Sequence, residues 1–153
     1  MKRIVFVCHG NICRSPMAEF IMKDIVWNGD KEAEYEITSK AATKDALGLE
    51  MDTRAKRVLE KHHVPFGTHH ASLLQKEDYQ KYDYLVGMDE ENFFDMNRIT
   101  GGDPEKKETK LLNFVSSWSD IEDPWYTGDF EKAYQEIQKG CKGLFEKLEN
   151  KSI

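Results

Sequence analysis

Short apolar runs alternate with longer amphipathic stretches along the chain, and this pattern predicts alternating strands and helices. The final stretch is the clearest helix, because its apolar residues recur every three or four positions and predict one buried face. These apolar positions are Phe130, Ala133, Tyr134, Ile137, Cys141, Leu144, Phe145 and Leu148. Elsewhere the pattern predicts strands over residues 4–7, 35–39, 84–88 and 111–115, and helices over residues 15–27, 53–63 and 90–98.

This alternation predicts an α/β fold with three layers, in which helices cover both faces of a parallel sheet. Ligands in such folds bind beyond the carboxyl ends of the strands. A chain of 153 residues is long enough to bury a sizeable core, and we expect residues 1–153 to form a single domain. Residues 101–104 predict a turn, and the charged stretch from there to Lys110 is expected to lie on the surface.

The segment between the first strand and the first helix has the residues expected of a phosphate-binding loop. Pro16 suits the first turn of the following helix, so the loop ends where unpaired N–H groups and the helix dipole favour an anion. Five residues separate Cys8 from Arg14. Their N–H groups can surround phosphate oxygens, and the planar guanidinium of Arg14 matches two of those oxygens. The segment reads Cys8-His9-Gly10-Asn11-Ile12-Cys13-Arg14-Ser15.

The position of Cys8 in this loop makes it a candidate nucleophile. The positive field that attracts phosphate also favours a thiolate over a thiol, and Ser15 can donate a hydrogen bond to the sulfur. Gly10 permits close backbone approach, and Asn11 tolerates a left-handed conformation in which its amide can brace the loop. Considered alone, Cys8 is equally compatible with a buried apolar residue at the end of a strand.

These residues resemble the phosphate-binding loop of the low-molecular-weight protein tyrosine phosphatases. A second stretch, Asp123-Pro124-Trp125-Tyr126, resembles the general-acid loop of that family, and residues 82–89 resemble its strand and turn before a helix. The resemblance covers nearly the whole chain, in the family's order and at its length. It implies a four-stranded sheet of the flavodoxin-like, Rossmann-like type.

The resemblance also implies the roles of individual residues. Cys8 would be the nucleophile, Arg14 a phosphate ligand and Asp123 the general acid and base. The implied phosphate-binding set is His9, Gly10, Asn11, Ile12, Cys13, Arg14 and Ser15. The implied pocket wall is Ile12, Trp125 and Tyr126. The resemblance further places His69 near a network that braces Asn11, and implies that Cys13 forms a reversible, protective disulfide with Cys8.

The implied reaction is hydrolysis of phosphotyrosine and aryl phosphate monoesters through a cysteinyl-phosphate intermediate. Its partners would be phosphotyrosine-containing proteins or peptides, with inorganic phosphate and vanadate as inhibitors. No cofactor and no metal are expected. Four of the histidines lie close together in sequence, but their spacing lacks a matching set of metal ligands, so we interpret them as a helix end and a loop. These are His62, His63, His69 and His70.

Three alternatives share features with this interpretation. A protein arginine phosphatase has the same fold and both motifs, and the resemblance places a threonine at the position of Ile12 in that branch; the apolar Ile12 favours an aromatic ring. A thiol-dependent arsenate reductase needs further cysteines in mid-chain, and this chain has none between Cys13 and Cys141. A catalytically silent phosphate-binding module would be expected to lack Cys8 or Asp123.

A nucleoside-triphosphate P-loop is excluded, because no Gly-x-x-x-x-Gly-Lys-Ser/Thr motif occurs.

Composition and charge narrow the expected partners and location. A net charge of -6 and a pI of about 5.4 argue against nucleic acid, which requires a basic face. No apolar run approaches the roughly 18 residues of a membrane span, and the run after Lys2 and Arg3 is too short for a signal peptide. Three cysteines without a secretory signal suggest a reducing compartment, so we expect a cytoplasmic protein that does not bind membranes.

Two departures from the family's pattern lie near the predicted site. His9 stands where the family more often has a small or aliphatic residue, and it either adds positive charge beside the nucleophile or points away. Residues 39–54 contain no aromatic residue, although many relatives have one there as a pocket wall. We therefore expect a shallower and more permissive pocket.

Overall fold

A four-stranded parallel sheet lies at the centre of the computed structural model, which describes residues 1–150. Within those residues the strands are β1 (Lys2–Cys8), β2 (Tyr35–Ala41), β3 (Tyr84–Gly87) and β4 (Glu108–Lys110). They lie in the order β2-β1-β3-β4, and every neighbouring pair is parallel. The first strand of the chain is therefore an interior strand, and its carboxyl end lies in the middle of the sheet edge.

Helices cover both faces of this sheet, as predicted. The helices are α1 (Arg14–Asn28), α2 (Thr53–Lys61), α3 (Asp78–Lys81), α4 (Glu90–Thr100), α5 (Pro124–Thr127) and α6 (Phe130–Asn150). Successive residues of β1 point to opposite faces. Ile4 and Phe6 pack in the larger core with α1, α2 and α6, whereas Val5 and Val7 pack in a smaller core with α3 and α4. The predicted α/β fold with three layers is confirmed.

The predicted helices and the first three strands are confirmed, with ends that differ by one or two residues. The second predicted helix stops at Lys61 because the chain turns there, and His63 has a φ of 57°. The single-turn helices α3 and α5 have too few residues to show a periodic apolar pattern, so the sequence did not predict them. No helix among residues 1–150 is long and apolar enough to cross a membrane.

The predicted fourth strand over residues 111–115 is wrong. Leu111–Val115 is a 3-10 helix, and the strand β4 lies just before it. The apolar segment packs closely under α6, where a Cβ on Gly140 would lie 2.5 Å from Cγ of Leu111 and one on Gly143 would lie 2.7 Å from the carbonyl oxygen of Phe114. A short apolar run alone does not distinguish a buried strand from a buried helical turn, and here the two glycines leave room for the helical turn to pack against α6.

The expectation that the charged stretch lies on the surface as far as Lys110 is also wrong. Glu108 and Lys110, in β4, are only 8% and 2% exposed. Both side chains have polar partners inside the protein: Glu108 contacts Thr100, and the ammonium of Lys110 contacts several oxygens. Buried polar groups need such partners, and these partners belong to the neighbouring helix α4 and to the segment after residue 115, not to the charged stretch itself.

Glu108 is buried against the end of α4 in a way that favours its neutral form. The single hydroxyl proton of Thr100 has two acceptors, Oε2 of Glu108 and the carbonyl oxygen of Met96 at 2.9 Å, so it cannot fully satisfy an ionised carboxylate. Within residues 1–150, Oε1 of Glu108 has no hydrogen-bond partner. Burial raises the pKa of Glu108 to about 7, although the bond from Thr100 opposes the rise.

Replacing Glu108 with glutamine should make folding stability less sensitive to pH. The pKa of Glu108 is about 7 in the folded state, compared with 4.5 for a glutamate in the unfolded chain. The folded state therefore binds the proton more tightly. The contribution of Glu108 to wild-type stability is therefore fully present below about pH 4.5 and is lost as pH rises from there through about 7, by at most about 3 kcal/mol. Urea unfolding at about pH 5 and about pH 8 measures the difference. Glu146→Gln, at an exposed position, is the control; equal pH dependence in wild type and Glu108→Gln would contradict the assignment.

Candidate active site

The loop between β1 and α1 places Cys8 and Ser15 side by side. Sγ of Cys8 lies 3.0 Å from Oγ of Ser15, and the backbone N–H of Ser15 donates to the same sulfur at 3.4 Å. Oγ of Ser15 accepts a hydrogen bond from Nδ2 of Asn11 at 2.8 Å, so the hydroxyl proton is left to point at the sulfur. The sulfur therefore has two donors aimed at it, which stabilise negative charge there.

Asn11 braces this loop from behind. It is fully buried and has a φ of 61°, the left-handed conformation expected from the sequence. Its Oδ1 accepts a hydrogen bond from the backbone N–H of Ser72 at 3.1 Å, and its carbonyl oxygen lies 2.7 Å from Nε2 of His69. The loop is thus tied to residues 69–72, and His69 lies where the resemblance implied.

Arg14 is held at the bottom of the site with only 2% of its side chain exposed. Its Nη1 donates to Oδ2 of Asp89 and to the carbonyl oxygen of Ile121, both at 2.7 Å, and its Nη2 lies 3.5 Å from Oδ2 of Asp123. Burial lowers the pKa of Arg14, but the negative charges of Cys8, Asp89 and Asp123 outweigh that effect and raise it. Among residues 1–150, no atom accepts a hydrogen bond from Nε. Arg14 is therefore a fixed cation whose Nε–H is still available to donate a hydrogen bond.

Asp123 reaches Arg14 from the far end of the chain, on the segment that follows β4. Its Oδ1 accepts a hydrogen bond from the backbone N–H of Trp125 at 3.0 Å and so caps α5, while Oδ2 faces the guanidinium. The segment is anchored two residues earlier, because the backbone N–H of Ile121 donates to the carbonyl oxygen of Met88 at 2.9 Å. These contacts set the position of the carboxylate relative to the loop.

A cavity of about 350 Å³ opens above the loop. It brings together most of the residues predicted for the site, namely Cys8, His9, Gly10, Ile12, Cys13, Asp123, Trp125 and Tyr126. Trp125 and Tyr126 stand at its mouth, 53% and 80% exposed. Asp45, Ala46 and Leu49 form the remaining wall, so the stretch without aromatic residues does border the cavity. The apolar side of the mouth suits an aromatic ring, and the loop beneath it suits an anion.

The side chain of His9 lies between two carboxylates at the rim of this cavity. Its Nε2 is 2.6 Å from Oδ2 of Asp45, and its Nδ1 is 3.4 Å from Oε1 of Glu91. The imidazole therefore links the loop to the cavity wall on one side and to α4 on the other.

Cys13 lies in the same loop and is buried as a free thiol. Burial raises the pKa of this thiol, and the negative charges of Cys8, Asp52 and Asp123 raise it further. Cys13 thus remains protonated beside the candidate nucleophile. Cys141, in contrast, is fully buried in the core, as the apolar stripe of α6 predicted.

Two residues of the site were missed by the sequence analysis. Asp89 follows β3 and accepts a hydrogen bond from the backbone N–H of Asn92 at 2.8 Å, which leaves its second oxygen for Arg14. An aspartate followed three residues later by asparagine at the start of a helix was the available signal, because that spacing is typical of a capping box. Ile121 contributes its backbone carbonyl oxygen, and the sequence of side chains does not indicate such a backbone contact.

The clustered histidines have other partners. His62 stacks on Tyr134 with ring centroids 3.9 Å apart, and its Nε2 lies 2.9 Å from Oε2 of Glu131. His69 braces Asn11 as described. Within the part of the chain that the structure describes, residues 1–150, no group of three or more His, Cys, Asp or Glu side chains is arranged to hold a metal ion.

Comparison with known proteins extends these observations to the whole chain. The family model described as low molecular weight phosphotyrosine protein phosphatase matches residues 3–153. The human protein of that name is 34% identical over 151 residues, which cover 95% of each chain. The crystal structure of YfkJ from Bacillus subtilis matches with a TM-score of 0.95 at 30% identity, over 100% of this chain and 98% of that one. A crystal structure of a Drosophila arginine phosphatase matches with a TM-score of 0.86 at 28% identity, over 97% and 98% of the two chains.

These matches agree with the fold and extend along nearly the whole chain. The sheet of four parallel strands expected from the resemblance is present, and the matched relatives are similar along their full length. The resemblance stated from the motifs alone is therefore confirmed. The chain belongs to the low molecular weight phosphotyrosine protein phosphatase family.

Proposed function

We propose that this protein hydrolyses phosphotyrosine and other aryl phosphate monoesters through a cysteinyl-phosphate intermediate. One juxtaposition supports the proposal above all. Cys8 and Asp123 border the same cavity, and the carboxylate of Asp123 lies 3.5 Å from the guanidinium of Arg14. The candidate nucleophile and the candidate proton donor thus border one space, the guanidinium of Arg14 lies next to it, and aromatic side chains line its mouth. Membership of the family supports the same reaction.

In the first step, the thiolate of Cys8 attacks the phosphorus of the bound phosphate dianion. An S–P bond forms while the P–O bond to the aryl group breaks, and protonated Asp123 gives its proton to the departing oxygen. Loop N–H groups and Arg14 hold the equatorial oxygens and stabilise their charge in the transition state. Because Asp89 and the Ile121 carbonyl already fix the guanidinium, this cation needs no reorientation during the reaction.

In the second step, Asp123 takes a proton from the water molecule that attacks the phosphorus of the intermediate. The S–P bond breaks, inorganic phosphate leaves and the thiolate of Cys8 is regenerated. Ser15, whose hydroxyl lies 3.0 Å from the sulfur, stabilises the departing thiolate. The scheme uses no metal and no cofactor, and it makes phosphate and vanadate competitive inhibitors, since both occupy the loop.

Rate measurements on three phosphopeptides of the same sequence test this function directly. The peptides contain phosphotyrosine, phosphoserine or phosphoarginine at one position, and kcat/KM is measured for each. We expect phosphotyrosine to be turned over fastest, because its long aromatic side chain reaches the loop while packing against Trp125 and Tyr126. Little turnover of phosphotyrosine alongside rapid turnover of either other peptide would refute the proposed substrate class.

Arginine phosphatase activity is the second candidate, because one of the similar structures is named as an arginine phosphatase. Ile12 bears on this choice, since it lines the cavity at the loop. An apolar side chain there contacts an aromatic ring favourably but offers no hydrogen bond to a guanidinium group. The identity of Ile12 therefore favours phosphotyrosine.

Replacing Ile12 with threonine should shift the preference from phosphotyrosine toward phosphoarginine. The ratio of the two kcat/KM values should change by roughly tenfold or more, the usual effect of a methylene-sized change in a pocket. Ile25→Thr, which makes the same change in α1 away from the cavity, serves as the control. An unchanged ratio in Ile12→Thr would mean that another part of the wall, such as Trp125, discriminates between the substrates.

Mild peroxide should inactivate the protein reversibly, because Cys13 lies in the same loop as Cys8. Peroxide converts the Cys8 thiolate to a sulfenic acid. Cys13 then attacks that sulfur while its proton passes to the departing hydroxide, so the disulfide forms and water leaves. A peptide map should show the Cys8–Cys13 disulfide, and added thiol should restore activity. In Cys13→Ser recovery should be incomplete, whereas Cys141→Ser should recover like wild type. Equal recovery of all three proteins would exclude a protective role for Cys13.

A further inference from the structure

Lys110 has its ammonium group buried close to the candidate site. Its side chain is 2% exposed, and its Nζ contacts Oδ1 of Asp120 at 2.7 Å, Oε2 of Glu90 at 3.1 Å and the carbonyl oxygen of Trp118 at 2.6 Å. The Nζ also lies 4.7 Å from the centre of the Trp118 ring. Burial lowers the pKa of Lys110, but the bonds to Asp120 and Glu90 outweigh that effect and raise it.

The partners of Lys110 are joined to one another as well. Oδ1 of Asp120 accepts a hydrogen bond from the backbone N–H of Glu90 at 2.9 Å, and Nε1 of Trp118 donates to Oε2 of Glu90 at 2.9 Å. Glu90 is the first residue of α4, directly after Asp89. Lys110 is thus the centre of a network that fastens residues 118–120 to the start of α4.

This network lies directly before the segment that presents Asp123. Residues 118–120 are exposed, and besides the polar network the Trp118 ring packs edge to face against Phe93 of α4, with ring centroids 5.3 Å apart. The next residue, Ile121, is fully buried, bonds to the backbone of Met88 and accepts a hydrogen bond from Arg14 through its carbonyl oxygen. Two residues later the carboxylate of Asp123 faces the same guanidinium. The segment is therefore held at one end by the polar contacts of Lys110 and the ring contact of Trp118, and next to them by Ile121.

We propose that Lys110 is a positioning residue for the general acid, which holds the segment of residues 118–123 so that Asp123 faces the leaving group. The proposal rests on the function proposed for Asp123. A buried ammonium is unfavourable unless it is paired, so an apolar side chain would be the simpler way to fill this position. Lys110 instead directs its hydrogen bonds to the segment that presents the acid and to the helix that presents Asp89.

The test compares Lys110→Met with Asp123→Asn on aryl phosphates whose leaving groups range from poor to activated. We expect Lys110→Met to lower kcat by about 10- to 100-fold on phenyl phosphate, since a displacement of about 1 Å can cost roughly 100-fold. On an activated ester such as dinitrophenyl phosphate the loss should be small, because that leaving group departs without a proton. Lys107→Met is the matched control: its ammonium contacts the carbonyl oxygen of Tyr79 at 2.7 Å, away from the acid segment, and its kinetics should stay near wild type.

The double variant distinguishes positioning from a general loss of structure. If Lys110 acts through Asp123, Lys110→Met should cause little further loss in the Asp123→Asn background on any leaving group. A loss that is equal on all leaving groups, or that multiplies fully with Asp123→Asn, would overturn the proposal. Asp120→Asn, which keeps Lys110 and weakens one of its bonds, provides the same comparison if Lys110→Met does not fold, and should show the same dependence on leaving group with a smaller loss.

The same data separate this inference from the proposed function. A loss in Asp123→Asn that is equal on all leaving groups would overturn Asp123 as the acid, and the role of Lys110 with it. A strong dependence on leaving group in Asp123→Asn, with none in Lys110→Met or Asp120→Asn, would leave the proposed function intact and overturn only the positioning role.

Discussion

Replacing Cys8 with serine should abolish turnover while inorganic phosphate or vanadate still binds. The loop N–H groups, Arg14 and Ser15 remain in place, so the anion site persists and only the nucleophile is lost. A serine hydroxyl is a much weaker nucleophile than a thiolate at neutral pH, and removing the nucleophile of a catalytic unit costs on the order of 10⁴-fold or more in rate. Phosphopeptide turnover and calorimetric titration with phosphate measure the two properties separately.

The chain offers a matched control for this change. Cys141→Ser replaces the same atom in the core under α1, where Sγ of Cys141 lies 3.8 Å from the carbonyl oxygen of Ala18. We expect that variant to lose some thermal stability but to keep its kcat. Activity near wild type in Cys8→Ser would remove Cys8 from the mechanism. If Cys8→Ser loses both turnover and phosphate binding, the serine instead disrupts the loop.

Replacing Asp123 with asparagine should slow poor leaving groups by about two to four orders of magnitude, the usual share of general acid–base catalysis. The substitution is well suited to the site, because Oδ1 of Asp123 caps α5 and asparagine caps a helix about as well as aspartate. The segment therefore keeps its shape while the titrating proton is lost. Activated esters should slow much less, so the rate should depend more steeply on the pKa of the leaving group than in wild type.

Kinetics on a series of substituted phenyl phosphates measures this dependence. Asp129→Asn is the control, because Oδ1 of Asp129 accepts a hydrogen bond from the backbone N–H of Lys132 at 2.9 Å in the first turn of α6, outside the cavity. Its dependence on the leaving group should match wild type. If Asp123→Asn loses the same factor on every substrate, Asp123 orders the segment and does not donate the proton.

The sequence predicted those parts of the fold and site that depend on neighbouring residues. The loop from Cys8 to Ser15 is contiguous, so its residue types and spacing indicate both its position after a strand and its affinity for an anion. The long stripe of α6 is predictable for the same reason, since each apolar residue lies one turn from the next. Asp123 was associated with the loop only through the resemblance, because nothing local links positions so far apart in the chain.

The predictions that the structure contradicts, and the site residue that the sequence does not indicate, have a common physical cause. Leu111–Val115 was assigned to a strand because the pattern of one segment says nothing about the glycines of α6 that accommodate it. Lys110 was assigned to the surface because its oxygen partners come from α4 and from the segment after residue 115. Asp89 was overlooked because its role depends on which guanidinium lies opposite its second oxygen. Each outcome is decided by a tertiary contact, which residue type and local spacing do not encode.

The strand order also has a consequence for biosynthesis. β1 emerges from the ribosome first but pairs with β2 and β3, and the segments that hold Arg14 from the other side follow β3 and β4. At roughly 5 to 20 residues per second, several seconds pass between the emergence of Cys8 and that of Asp123. A nascent chain thus contains the nucleophilic thiol long before the fixed guanidinium and the acid can assemble around it. We therefore expect ribosome-bound chains that end before Ile121 to hydrolyse phenyl phosphate far more slowly than the released protein, however much of their sheet has formed.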